Sequence, residues 1–292
     1  AVAEEVRLNL TKSIADQEIE SLDIFIFKDD DLRLLDCYQR VEKPAEWNGG
    51  ITSSPGEIIV SVCANSGILP DEWPLIRSRG ALGNIKASLE NERRNTPVMS
   101  GEMHLIADNR HPDISEICLR PLVSEIYLRS ICCDFKGKAY EGYPITDVRI
   151  YLTNINAECG ILENTVKNPE RILNSGKLRQ EDLEGFNDPG LIYLELEEEL
   201  DRAWTKTEAR LWCYPSNPKN DTPGSPFTRL VIEGKVGGMT YYWPININRG
   251  EDGNGVERNM RYIYDIRITG KGSTDPDVPV DADNMVIKMR TE

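Results

Sequence analysis

The chain has 292 residues, 39% of them hydrophobic and 28% charged, which is the composition of a folded globular protein and not of a disordered one. Its 34 Lys and Arg against 49 Asp and Glu give a formal net charge of −15, which opposes binding to a phosphate backbone or an anionic membrane surface, so nucleic acid is not an expected partner. No run of about 18 apolar residues is present, so no transmembrane segment is expected, and the length favours two domains.

Taken in chain order, period two dominates. VRLNLT (6–11) sets Val6, Leu8 and Leu10 against Arg7, Asn9 and Thr11, and SLDIFIF (21–27) is rich in β-branched and aromatic residues, so both read as strands. KDDD (28–31) supplies a turn and LRLLDCYQRV (32–41) a returning strand. GEIIVSVCANSG (56–67) is a continuous apolar run bounded by glycines, as expected of a strand covered on both faces. One helix is expected at about 81–93, weakened by Gly83 in its interior. Strand patterns resume at PVMSGEMHLIA (97–107), EICLRPL (116–122) and SEIYLRSICCDF (124–135), and KGKAYEGYP then breaks the alternation. That break predicts an N-terminal domain over 1–133 and a C-terminal domain over 134–292.

The second half repeats the pattern in DVRIYLTNI (147–155), EARLWCYP (208–215), TRLVIEGKV (228–236), MTYYWPININ (239–248), the MRYIYDIRI segment and NMVIKM (284–289). LIYLELEEELDRAWTKT (191–207) mixes strand and helix signals and supports no assignment. Short strands in two groups with little helix make this an all-β chain of two antiparallel β-sandwich domains in tandem.

Little in the residues points to chemistry. No GxSxG elbow occurs, His104 lies in a strand pattern and His111 in an NRHPD turn, so no nucleophile and base pair emerges and no enzyme activity is expected. Seven cysteines (37, 63, 118, 132, 133, 159 and 213) form no CxxC and have only two histidines beside them, so no zinc site is expected. Most sit in apolar strands as small hydrophobes; Cys132 and Cys133 would face opposite sides of one strand and are not expected to pair. DPDVPVDAD (275–283), EDGNG (251–255), GKVGG and GKG fit turns better than calcium or phosphate loops, and no cofactor is expected. Tyr241, Tyr242 and Trp243 raise a surface carbohydrate-binding module as an alternative, although strand alternation would bury some of those rings.

Taken together and in order, SLDIFIF, GEIIVSVCANSG, PVMSGE, LRPLVSEIYLRSI, DVRIYLTNI, TYYWPININ and VERNMRYIYDIRITGKGSTDPDVP resemble the fimbrillins, the pilin subunits and anchors of Bacteroidia type V fimbriae. The resemblance spans nearly the whole chain, and its most specific part is ERN, then YxYDI and GxGSxxP, after a YYxPI strand. It implies transthyretin-like β-sandwiches and a lipoprotein precursor exported to the outer membrane and cell surface, with its signal absent from this sequence. It further implies partnership with other fimbrial subunits by donor-strand exchange, with adhesion to host or bacterial surface ligands. In that scheme Val6, Leu8 and Leu10 are the strand to be displaced, Lys12 is the processing site, and Met285, Ile287 and Met289 are the donor strand. Lys12 stands where shaft pilins usually have Arg, and the tail lacks the tryptophan-bearing extension expected of a shaft subunit. A fimbrial anchor is therefore kept beside the shaft role, while a tip role is the least favoured for want of a third domain.

Overall fold

Alternating apolar residues build almost every element of this chain. The computed structural model describes residues 4–13, 17–67, 75–108, 114–250 and 253–292; His111, Glu251 and Asp252 lie outside them. The chain divides into two compact units, Ala1–Leu122 with Cys159–Asn164, and Val123–Glu158 with Thr165–Glu292. Among the described residues no helix is long and apolar enough to cross a membrane.

The first unit contains β1 (Glu4–Lys12), β2 (Leu22–Lys28), β3 (Leu35–Val41), β4 (Gly50–Ser53), β5 (Gly56–Ala64), β6 (Lys86–Ser88), β7 (Met99–Ala107) and β8 (Ile114–Pro121). All but β6 join in one sheet of order β3-β2-β5-β7-β8-β1-β4. That sheet folds over because β7 and β8 pair only through Met99 with Pro121 and Ser100 with Arg120. Val6, Leu8, Ile51, Ile117 and Leu119 of one half then pack on Leu22, Ile24, Ile26, Ile58, Val60 and Val62 of the other. Gly101 stands at the fold, where a Cβ would lie 2.6 Å from the Cys118 carbonyl oxygen and 2.7 Å from Ile117 Cγ2.

β5 is covered on both faces, as its unbroken apolar run predicts. Its second face, through Ile59 and Cys63, joins Phe25, Phe27, Ile76, Leu82 and Ile161 in a further apolar layer. Leu82 belongs to α1 (Arg79–Gly83), capped where the Ser78 hydroxyl accepts the Ala81 N–H at 3.2 Å. The helix expected at 81–93 is therefore confined to this one turn. Beyond Asn84 the side chains of Ala87 and Leu89 are buried with Lys86 exposed between Ile85 and Ala87, a period-two pattern that prevails and forms β6 and a 3-10 turn at Leu89–Asn91.

The second unit contains β9 (Ser124–Cys133), β10 (Thr146–Thr153), β11 (Ile155–Asn156), β13 (Ile172–Leu173), β14 (Tyr193–Glu195), β15 (Thr205–Cys213), β16 (Arg229–Val236), β17 (Met239–Asn246), β18 (Arg261–Ile268) and β19 (Met285–Thr291), with β12 (Glu158–Gly160) lying across the division. A short α2 (Gln180–Glu184) precedes β14. Two four-stranded sheets, β14-β10-β16-β17 and β15-β9-β18-β19, form the sandwich. Their inner faces carry Ile150, Leu152, Ile232 and Trp243 on one side and Ile126, Leu128, Tyr262, Tyr264 and Ile266 on the other, all fully or almost fully buried. The boundary expected after Cys133 falls at the end of β9, which pairs with β15 and, in parallel, with β18, and the compact unit that holds these strands begins at Val123.

Gly101→Ala is expected to destabilise the first unit by about 1–3 kcal/mol in urea unfolding, because backbone must move to admit a Cβ. Gly83→Ala, which meets nothing within 4 Å, should change stability by less than about 0.5 kcal/mol.

Candidate functional site

The first candidate element, β1, is held on both edges. Glu4–Arg7 pair antiparallel with β4, and Arg7–Lys12 pair in parallel with β8. Val6 and Leu8 are each 5% exposed, and Leu10 packs half-buried against the same core. β4 is the last strand of its sheet and β1 is its ladder partner, so β4 depends on β1 for its place. Gly49 closes the turn into β4 at φ +81°, and its carbonyl accepts the Leu8 N–H at 2.8 Å.

Lys12 ends this strand half-buried. Its ammonium donates to the Gln17 carbonyl, and the Ser13 N–H donates to the Leu119 carbonyl at 3.1 Å. The peptide bond after Lys12 thus lies within a hydrogen-bonded run and not in an open loop.

The second candidate element, β19, has the opposite character. It is the edge of its sheet and pairs antiparallel with β18, with Met285, Ile287 and Met289 opposite Ile268, Ile266 and Tyr264. Residues opposite one another share a face, so these three continue the core face of β18. Yet Ile266 and Ile268 are fully buried, while Ile287 and Met289 are each 39% exposed and Met285 is half-buried. The core ends at β18, and the apolar row of β19 runs on past its cover. Val6, Leu8 and Leu10 therefore gather on one core, Met285, Ile287 and Met289 on one edge, and the two sets belong to different units.

The segment leading into β19 is clamped. Tyr242 and Ser273 exchange both backbone bonds at 2.8 Å, and the Trp243 indole donates to the Gly270 carbonyl at 3.0 Å. A Cβ on Gly272 would lie 2.3 Å from the Tyr242 carbonyl oxygen, and one on Gly270 would lie 2.0 Å from Asn284 Oδ1. Asp277 pairs with the buried Arg229 at 2.5 Å and accepts from the Asn154 amide at 3.1 Å. Turn chemistry thus accounts for GKGSTDPDVP.

Other sequence candidates are also placed. Trp243 is wholly buried and Tyr241 is 8% exposed, so two of the three rings that raised a carbohydrate platform serve the core. None of the seven cysteines is in a disulfide; burial pushes the Cys213 thiol up to about 12 and, as the leading cause, the Cys133 thiol up to about 11. Exposed His104 lies 2.6 Å from Asp29 Oδ2. A groove of about 390 Å³ on the outer face of β10, β14, β16 and β17 had no sequence signal. Its charges pair internally, with Arg149 3.4 Å from both Glu195 and Glu233 and Lys235 2.7 Å from Asp147.

No protein-family model matches the chain, and no curated protein matches its sequence. Its fold is similar to that of solved fimbrial and adhesion-related structures. A candidate cell adhesion protein from Bacteroides eggerthii superposes with a TM-score of 0.75 at 16% identity, covering 99% of this chain and 95% of that one. A fimbrilin from Porphyromonas gingivalis gives 0.66 at 13% identity over 99% and 96% of the two chains. The tip fimbrial protein Mfa3 from the same organism, truncated at its C-terminus, gives 0.62 at 12% over 99% of each.

Two measurements follow from the contrast between β1 and β19. Leu8→Ala should cost about 2–5 kcal/mol in chemical unfolding, whereas Ile287→Ala should cost less than about 1.5 kcal/mol. Asp265 on β18 is held below the usual carboxylate range by its hydrogen bond from Arg129, helped by Ser130. A depressed folded pKa means that its stabilisation is present above the unfolded value of about 4 and fades as pH falls through the folded one. The stability gap between the wild type and Asp265→Asn should therefore be constant near neutrality and close progressively in strongly acidic buffer.

Proposed function

We propose that the chain is a fimbrillin, a structural subunit of a cell-surface fimbria that assembles with other subunits by strand exchange after export as an outer-membrane lipoprotein. Cleavage after Lys12 releases β1, the slot between β4 and β8 opens, and the β19 strand of another subunit fills such a slot with Met285, Ile287 and Met289. The protein acts by assembly and adhesion and not as an enzyme.

The observation that carries this reading is β19 itself. An apolar row held at a sheet edge, beyond the cover of its own core, is a strand whose side chains gain by entering another sandwich. Each such side chain stabilises a joint by roughly 1.5–3 kcal/mol when fully buried. The matching slot follows from β1, whose removal would leave unpaired backbone along β8 and β4 and empty the places of Val6 and Leu8. Similarity of fold to a fimbrilin over 99% of this chain supports the same reading.

An anchor role is the second reading, and the engagement of Lys12 favours it. A bond held inside the sheet resists a protease until the strand frays, so an uncut subunit that accepts a donor without offering its slot early is consistent with that geometry. The adhesin reading loses the motive that Tyr241 and Trp243 supplied, because both rings are interior.

Trace trypsin, followed by mass mapping of the new N-terminus and gel analysis without boiling, tests the proposal. Full-length protein should acquire a start at Ser13 and form a series of stable oligomers, while a variant lacking residues 278–292 should be cut but stay monomeric. Cutting that merely unfolds the protein would favour the anchor role; oligomers from the truncated variant would sink β19 as donor.

A further inference from the structure

The outer face of the β15-β9-β18-β19 sheet is basic and aromatic in a chain whose overall charge is −15. Alternation and register place its side chains in rows across the four strands. One row contains Ser130, Asp265 and Lys288, with Lys206 opposite Ser130 on β15. The next contains Cys132, Arg267 and Val286, and Trp204 lies at its end immediately before β15.

Three cations on this face are neutralised locally. Arg129 pairs with Asp265, and Arg210 and Arg261 both pair with Glu125 at 3.0 and 2.7 Å. Lys206, Arg267 and Lys288 are different. All three are exposed, and among the described residues none has a carboxylate within ion-pair distance. Asp265, opposite Lys288, is already engaged by Arg129 and Ser130.

Trp204 is the second, independent observation. It is 46% exposed, and its ring stands 5.3 Å from the Arg267 guanidinium. An indole left half in water beside cations offers a flat apolar surface with charge at its rim. Strand spacing sets Lys206 and Lys288 about 15 Å apart on either side of the two central strands. The platform is therefore sized for a short chain of rings and not for a single small anion.

We propose that Trp204, Lys206, Arg267 and Lys288 form a binding site for an acidic oligosaccharide, one whose pyranose rings carry carboxylate or sulfate groups. A sugar ring stacks on Trp204 through its apolar C–H face. Arg267 presents a planar fork to an anionic substituent on that ring, and the two lysines meet the charges of neighbouring rings as point cations. The remainder of the protein is strongly acidic and repels long polyanions beyond this patch, so short acidic segments bind and extended ones gain nothing more. Trp204, Lys206 and Arg267 are not part of β19 and keep their places whether or not that strand is exchanged, whereas Lys288 completes the site only while β19 is paired with β18.

Isothermal titration of the intact, uncut protein tests this with three probes: a heparin-derived tetrasaccharide, a galacturonate tetramer and neutral cellotetraose. An acidic probe should bind, with affinity falling several-fold as salt rises from about 50 to about 300 mM, while cellotetraose should not. Trp204→Ala should weaken binding at least tenfold, and Lys206→Gln combined with Lys288→Gln should weaken it several-fold and flatten the salt dependence. Unchanged thermal midpoints establish that these surface variants fold. Silence from both acidic probes, equal binding of cellotetraose, or affinity untouched by the variants would each overturn the site. A short oligodeoxythymidylate bound as tightly as the sugars would overturn it in favour of unselective attraction to polyanions.

Discussion

The first sandwich depends on one strand satisfying two neighbours at once. A buried backbone must pair its N–H and C=O groups, and β1 does this for β4 on one side and β8 on the other. It also seats Val6 and Leu8 in the core on which both halves of the folded sheet converge. Gly49 and Gly101 are consequences of this arrangement: one lets a turn close against β1, and the other lets β7 cross β8 without a side chain in the way. β4, only four residues long, has no other place in the sheet.

The second sandwich closes without needing its last strand. Tyr262, Tyr264, Ile266 and Ile268 of β18 are buried to within a few per cent, while the residues opposite them on β19 remain substantially in water. What β19 contributes at home is mainly a backbone ladder along the β18 edge. A strand bound chiefly by its backbone is exchangeable in a way that a core strand is not, because most of what it loses on leaving is regained along any edge of similar length. The clamp built from Trp243, Gly270 and Ser273 holds the start of the tail while leaving the strand itself lightly attached.

Much of this was legible in the residues because alternation is a local signal. VRLNLT and NMVIKM each declare which side chains share a face, and the double-faced burial of β5 can be read from its unbroken apolar run. Pairing partners are not local. Nothing in VRLNLT says that it runs parallel to β8, and nothing around Cys133 says that β9 joins strands of the second unit. The helix expected at 81–93 failed because charged residues at helical spacing can equally flank a short strand, and the burial of Ala87 and Leu89 decided between them. The engagement of Lys12 with the Gln17 carbonyl and the unpaired cations around Trp204 both arise from neighbours far apart in register or in turn geometry, which no single stretch encodes.

The separation of β1 and β19 into different units also bears on symmetry. A contact in which one patch meets a copy of itself closes into a two-fold dimer, whereas a contact between two unlike patches leaves one of each unused at the ends. In the proposed exchange the slot and the strand are unlike patches, so each added subunit regenerates the same unfilled pair. Such an assembly has a direction, and its length is limited by supply or by a terminating subunit and not by geometry.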